Sequence, residues 1–355
     1  MKERHHGMIR TGAVLVLLAL LLGYNLLRSE AADTLPAQLS DAEFWRIVTD
    51  FSEPNGDFPF ENFVSNEYQY QDIIAKMKTD APPGGVYIGV APEQNFTYIA
   101  ALQPRMAFIL DIRRQNMLEL LLYKALFEMS KDRAEFVSRL FARKCPPTVN
   151  EKFTAKELFD ACAKSQRDPE YYRATLQTVR DRLIKQHQFK FAGDDELRIG
   201  SVFNVFFSGG PEMDYLYASP TRPTSRSKVP TYQELMTVAD PQGRNWSYLE
   251  KEDAYQRVRA MQLKNLIVPI VGDFGGPRAL KSIGGYVKDH RARVSVFYLS
   301  NVEDYLQAKW TAYRANIAAL PVENTSLFVR VYIYPPRTAL APINTLPVNY
   351  PGRTY

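Results

Sequence analysis

The chain has 355 residues, of which 46% are hydrophobic and 12% are aromatic. This composition excludes a disordered protein and is sufficient for one large decorated domain. The formal net charge is only +5, and basic and acidic residues alternate along the chain, so nothing in the composition supports nucleic-acid binding.

The first 32 residues differ from the rest of the chain. Basic residues precede an apolar run over 13–27, and small residues follow it. The run is short and is interrupted by Gly23, Tyr24 and Asn25, which favours a secretory signal, although an uncleaved membrane anchor stays open. We therefore expect residues 1–32 to be a signal peptide or anchor. The remainder would be exported, either periplasmic or held on the inner membrane facing outward.

Residues 33–83 are predicted to form a linker and an N-terminal helical cap. Asp41 is placed to cap a first helix, in which Phe44, Trp45, Val48 and Phe51 recur at helical spacing. A second helix follows, and the proline and glycine cluster at 81–85 ends this segment.

Strands and helices alternate from residue 86 onward, with strands expected at 86–90, 107–110, 266–271, 294–299 and 326–334. The intervening helices fall at 93–102, 279–289 and 302–317. This alternation specifies an α/β fold with a mostly parallel sheet and helices on both faces. We assign residues 84–336 to such a Rossmann-like domain.

A large, mainly helical insertion is expected over about 131–262. Helices are predicted at 117–129, leading into it, and at 134–142, 169–187 and 246–263. Residues 189–243 are the least regular part: 201–210 reads as a possible strand, and the proline-rich stretch that follows reads as a loop. The acid-free tail, 337–355, should lie extended over the surface or remain free.

Two cysteines, Cys145 and Cys162, occur close together in the chain. In an oxidising compartment they would close a short loop, which contributes about 3 kcal/mol by the chain-entropy model. The alternative is two unrelated buried thiols. A metal site is not expected, because His187 and His290 have no cysteine or histidine at ligand spacing.

In parallel sheets of this kind, ligands bind beyond the carboxyl ends of the strands, where the strand order reverses. After the first strand, the turn carries Gly89, Ala91, Glu93 and Asn95 and can hold a ligand against a helix N-terminus, or can be a plain connection. The second and third glycines of a dinucleotide fingerprint are absent, so a pyrophosphate is disfavoured. Asp111 ends the second strand and suits a ribose diol, or an N-cap.

The third and fourth strand ends carry further polar and aromatic candidates. Asp273 is placed to accept from an exocyclic amine and Phe274 to stack on a purine, although turn chemistry alone explains the glycines beside them. Tyr298, Ser300 and Asn301 end the fourth strand, where Ser300 or Asn301 could instead cap a helix. The arginines after Asp111, at 113 and 114, are expected to face water.

These segments resemble the class I S-adenosylmethionine-dependent methyltransferases. The matching features are the turn at Gly89 and Ala91, the acid at Asp111, and the "GD" that ends in Asp273. A closer likeness is to an uncharacterised bacterial family of exported proteins with segments like "PEQNF", "DIRRQN", "GDF" and "SNE", the last seen here at 65–67.

The resemblance implies S-adenosylmethionine as cofactor, a nucleoside-type ligand without phosphates. It assigns Gly89, Ala91, Glu93, Asn95, Asp111, Asp273 and Phe274 to the cofactor, and Asn66, Glu67, Tyr298, Ser300 and Asn301 to the side of the methyl acceptor. The acceptor and a general base stay unassigned. Catalysis would then rest mainly on positioning.

Export conflicts with this interpretation, because S-adenosylmethionine is made in the cytoplasm. An active methyltransferase and a non-catalytic extracytoplasmic binding or scaffolding module that keeps the fold both stay open. A nicotinamide-dependent oxidoreductase is disfavoured by the missing glycines. The expected partners are a small nucleoside-type ligand and, if the N-terminal segment is uncleaved, a membrane.

Overall fold

The structure is a computed structural model that describes residues 33–81, 84–219, 229–332 and 335–352. The elements below all lie in one compact unit, Leu35–Tyr355. The predicted signal or anchor at 1–32 lies outside the described residues. Within the described ranges, no helix combines the length and the hydropathy that a membrane crossing requires.

The centre of the molecule is a six-stranded sheet in the order β3-β2-β1-β4-β5-β6. Pairing is parallel from β3 through β5, and β6 runs antiparallel to β5. Every residue of the first three strands is buried, as expected for strands that helices cover on both faces. The predicted mostly parallel, Rossmann-like α/β fold is therefore confirmed. The strands are β1 Val86–Gly89, β2 Met106–Asp111, β3 Ile267–Val271, β4 Val294–Ser300, β5 Val322–Tyr332 and β6 Arg337–Pro342.

The helices fall into two groups, those outside the large insertion and those within it. The first group is α1 Asp41–Phe51, α2 Ile74–Asp80, α3 Gln94–Leu102, α4 Arg114–Met129, α11 Ala279–Asp289 and α12 Trp310–Ala318. Between α4 and β3 the described residues form α5 Arg133–Leu140, α6 Ala155–Cys162, α7 Pro169–Arg180, α8 Asp195–Gly209, α9 Tyr232–Thr237 and α10 Glu252–Leu263. A π-helical turn, Asp181–Gln186, extends α7.

Several predicted boundaries are wrong for identifiable reasons. Ser40, not Asp41, caps α1, since the Ser40 hydroxyl accepts from the Glu43 amide at 3.2 Å. Residues 201–210, read as a possible strand, lie mostly in α8, whose buried Ile199 and Phe206 share one helical face. Helix α10 begins at Glu252, six residues later than predicted.

The C-terminal third also departs from expectation. The predicted helix over 302–317 is two 3₁₀ turns, Val302–Tyr305 and Gln307–Lys309, followed by α12. The tail does not merely lie over the surface, because Arg337–Pro342 pairs with β5 as an edge strand. Prolines are tolerated at such an edge, which is why a proline-rich segment still joins the sheet.

Cys145 and Cys162 are joined by a disulfide with their Cα atoms 4.4 Å apart. The bond links the segment after α5 to the last residue of α6. It therefore ties together the first part of the helical insertion.

Candidate functional site

A cavity of about 690 Å³ opens at the carboxyl ends of the parallel strands. It is bordered by Ala91 after β1, Asp111 at the end of β2, Asp273 after β3 and Ser300 at the end of β4. The strands β2 and β3 lie on one side of β1, and β4 and β5 lie on its other side, so the strand order reverses between β1 and β4. Ligands of open α/β sheets bind at such a point. The volume lies in the range of small-molecule pockets.

Two residues on the cavity wall have left-handed backbone conformations. Ala91 has φ 64° and Ser300 has φ 53°, and neither is a glycine. Ala91 follows β1 and Ser300 is the last residue of β4. These two strands are hydrogen-bonded neighbours in the sheet. Non-glycine residues in this region cost free energy, so the backbone is strained where these two residues border the cavity.

A buried carboxyl group, Glu67, is held at the cavity by residues of β4. The Tyr298 hydroxyl donates to Glu67 Oε2 at 2.6 Å, and the Ser300 hydroxyl donates to Glu67 Oε1. Gln94 Nε2 in turn donates to the Tyr298 hydroxyl oxygen at 2.6 Å. Burial raises the pKa of Glu67 to about 7, against the opposing effect of the two hydroxyl donors. The group can therefore exchange a proton near neutral pH.

Glu93, assigned from sequence to the cofactor, is fully buried and does not border the cavity. Its Oε1 accepts from the Ser65 amide at 3.4 Å, and its Oε2 has no hydrogen-bond partner among the described residues. Desolvation raises the pKa of Glu93 to about 8. Glu93 therefore lies in the core beneath the cavity, whereas Glu67 is a buried acid that borders it.

Gly89 and Asn95 also serve the protein's own packing. A Cβ atom on Gly89 would lie 1.9 Å from Asn95 Oδ1, so the glycine makes room for this side chain and not for a ligand. Asn95 Nδ2 donates to the carbonyls of Val90, Ala91 and Pro92, and Asn95 Oδ1 accepts from the Tyr87 hydroxyl at 2.8 Å. Asn95 fixes the turn after β1, and neither residue borders the cavity.

Asp111 borders the cavity but is already paired. Arg113 donates to Asp111 Oδ1 through Nε and to Oδ2 through Nη2, each at 3.0 Å. Arg113 is only 6% exposed, so the expectation that it faces water is wrong. Arg114 is also engaged, in an ion pair with the buried Asp195. The N-cap of α4 is Arg113, which excludes Asp111 from that role.

The cavity wall after β3 shows the same pattern. Asp273 accepts from the Gly275 amide at 2.8 Å and forms an ion pair with Lys309, which also borders the cavity. Phe274 lies on the cavity wall and stacks on Phe297 with ring centroids 5.7 Å apart. Asp111 and Asp273, the two cofactor-assigned acids that border the cavity, are thus engaged by cations of this chain.

The remaining acceptor-side candidates lie where the 65–67 segment faces the end of β4. Asn66 and Asn301 both border the cavity, and Asn66 is exposed. Asn301 precedes the 3₁₀ turn without a side-chain cap, so the capping alternative fails there. Tyr298 is fully buried behind Glu67 and does not border the cavity, which makes it a positioning residue.

The model of one protein family, described as "Domain of unknown function (DUF7790)", matches residues 62–196 and 214–350. The chain belongs to this family. The DUF7790 match contains Glu67, Gln94, Tyr298 and Ser300, which form the hydrogen-bonded chain at the cavity. No match to this protein was found among the curated proteins. This membership identifies the family of the chain but assigns no reaction to it.

Several cavity residues of this DUF7790 protein escaped sequence reasoning. They are mainly aromatic and come from loops distant in sequence: Phe58, Phe60, Tyr215 and Tyr305. The "FPF" at 58–60 is the one available signal, because two large aromatic residues in a loop can mark a binding surface. Arg113 Nη1 donates to the carbonyls of Phe60 and Asn62, which ties that loop to the end of β2.

Proposed function

We propose that the cavity binds S-adenosylmethionine and that the protein is a methyltransferase-like enzyme of this fold. The observation that carries the proposal is the position of the cavity at the reversal of strand order, bordered by the Ala91 turn and by an acid at the end of β2. The proposal does not assign the protein to a compartment, and it requires S-adenosylmethionine to be present wherever the protein resides.

The residues present fit a phosphate-free nucleoside in part. Asp111 Oδ2 accepts a single hydrogen bond, from Arg113, and a carboxylate oxygen can accept another, so Asp111 can serve a ribose hydroxyl as a shared acceptor. Phe274 offers an aromatic surface on the wall. Asp273 fits less well, because a ligand amine must share it with Lys309.

S-adenosylmethionine, when bound, supplies an electrophilic methyl group. The chain's own contribution is orientation and proton handling. Ser300 and Tyr298 hold the Glu67 carboxyl in one orientation, and its pKa near 7 suits removal of a proton from an acceptor. The reacting groups would meet in a cavity whose wall is partly aromatic.

The test is calorimetric titration of the full chain with S-adenosylhomocysteine. Val302 borders the cavity, and Val302→Trp fills part of it, whereas Val348→Trp places the same side chain where the valine is 72% exposed. We expect binding by the wild type and by Val348→Trp, and at least tenfold weaker binding by Val302→Trp. No heat from the folded wild type at millimolar ligand would refute the proposal.

A second function is favoured by one observation. Asp111 is paired with Arg113 and Asp273 with Lys309, which suits a binding module that keeps the fold without the reaction. Such a module would bind neither S-adenosylmethionine nor S-adenosylhomocysteine in this titration. It would still bind a ligand matched to the remaining groups of the cavity.

A further inference from the structure

The charged groups that border the cavity do not balance. Among the described lining residues the acids are Asp57, Glu67, Asp111 and Asp273, and the cations are Arg113 and Lys309. Each cation is paired with one acid, Arg113 with Asp111 and Lys309 with Asp273. Asp57 at the exposed rim and Glu67 in the buried interior have no cation partner among the described residues. The described part of the wall therefore carries an excess of negative charge that a bound cation would offset.

Aromatic side chains form the rest of this wall. The Phe58 ring meets Tyr305 edge-on at 5.3 Å between centroids, and the Phe60 ring lies 5.7 Å from Tyr215. All four border the cavity, as does Phe274. Rings attract organic cations through their negative faces, and aromatic surfaces beside a carboxylate are a recurring site for ammonium groups. The Arg113 guanidinium lies 5.4 Å from the Phe58 centroid, so one face is already used in this way.

We propose that the cavity binds an organic ammonium ion, with its nitrogen at Glu67 and its apolar part against the aromatic wall. The existence of this ammonium site is argued from the charges and aromatic rings alone. That the bound amine, primary or secondary, is also the methyl acceptor rests on the proposed function.

The contacts of Glu67 suit this role. The hydroxyls of Tyr298 and Ser300 both donate to its oxygens, which stabilises the carboxylate and offsets part of the effect of burial on its pKa. The carboxylate can take a proton from a bound ammonium ion: the N–H bond breaks, an O–H bond forms on Glu67, and the nitrogen keeps its lone pair as a neutral amine. The nitrogen is then nucleophilic.

Other titratable groups surround Glu67, and none of those in the described part of the chain is a cation that would compete for it. Desolvation raises the pKa of each of these groups, so all are neutral near pH 7. They are Glu93, Tyr87, Tyr98, Tyr215 and Tyr298. At pH 7 the pKa of about 7 makes Glu67 the group among these that changes charge most readily on ligand binding, whereas Glu93, with a pKa of about 8, is mostly protonated.

The experiment uses two probes of similar shape, 2-phenylethylammonium and the neutral 2-phenylethanol, titrated calorimetrically into the full chain at pH 8. Glu67→Gln keeps the shape of the side chain and removes its charge. Glu61→Gln makes the same change at an exposed position outside the cavity wall. Thermal melts followed by circular dichroism establish that each variant is folded.

We expect the ammonium probe to bind the wild type and Glu61→Gln at least tenfold more tightly than it binds Glu67→Gln. The alcohol should bind weakly and equally to all three. At pH 7, titrations in buffers of different ionisation enthalpy should report proton release from the wild type and none from Glu67→Gln. Equal binding of the two probes to the wild type, or unchanged ammonium affinity in folded Glu67→Gln, would overturn the inference.

The two proposals fail separately. Binding of S-adenosylhomocysteine without binding of the ammonium probe overturns the ammonium site and leaves the proposed function in place. Binding of the ammonium probe without S-adenosylhomocysteine supports the ammonium site and overturns the proposed function.

Discussion

The replacement Glu93→Gln tests the electrostatics beneath the cavity. Glu93 is fully buried, one of its oxygens has no hydrogen-bond partner among the described residues, and the other accepts from the Ser65 amide at 3.4 Å. Desolvation raises its pKa from 4.5 to about 8. The folded protein therefore keeps Glu93 protonated where the unfolded chain has already lost the proton.

The sign and size of the effect follow from this difference. The protonated form stabilises the fold fully below pH 4.5, and this stabilisation is lost progressively as the pH rises to about 8. The loss amounts to about 5 kcal/mol, a large share of the stability of an ordinary domain. Glutamine resembles the protonated acid at every pH, so Glu93→Gln should not show this loss.

The assay is urea unfolding of the wild type and Glu93→Gln at several values between pH 5 and pH 9, with Glu61→Gln as an exposed control. We expect similar stabilities of wild type and Glu93→Gln near pH 5, and a variant more stable by several kcal/mol at pH 9. Glu67→Gln should show a smaller effect of the same sign, because the pKa of Glu67 rises only to about 7. A constant difference between wild type and Glu93→Gln across this range would refute the reasoning.

Two further predictions concern stability away from the cavity. Glu128→Gln should lower the free energy of unfolding by about 3 to 5 kcal/mol, because it leaves the buried Lys124 side chain, which is 2% exposed, without its ion-pair partner. A loss of less than about 1 kcal/mol, measured by urea denaturation, would contradict this prediction. Replacing Cys145 and Cys162 together by serine should cost about 3 kcal/mol. Reducing agent should lower the wild type to the level of the double variant, and no response of the wild type would argue against a stabilising disulfide.

The fold could be predicted where local pattern and final structure agree. The helix at 279–289 was predicted with the bounds it has, and the strands at 86–90 and 266–271 are correct to within one residue, because buried strands and amphipathic helices leave strong periodic signals. The errors fall where that signal is absent. The segment at 201–210 is rich in aromatic and β-branched residues that suit either state, and tertiary packing selects the helix.

The site was predictable only through topology. Because parallel strands end at one edge of the sheet, Ala91, Asp111, Asp273 and Ser300 were expected to meet, and the structure brings all four to the cavity. Sequence does not report burial, so Glu93 was placed at the ligand although it lies in the core.

The sequence also does not show which side chains contact each other in the folded protein. The Arg113 guanidinium folds back onto Asp111 two residues away, and Lys309 reaches Asp273 from a different loop. The aromatic wall at Phe58 forms only when loops far apart in the chain converge.

The most direct test of this account is an experimental structure of the full chain with S-adenosylhomocysteine. We predict ligand density in the cavity between Asp111 and Ser300, with a ribose hydroxyl within hydrogen-bond distance of Asp111 Oδ2. A folded protein with clear density for these side chains, and with the ligand absent or bound at another surface, would contradict the claim that this cavity is a nucleoside site.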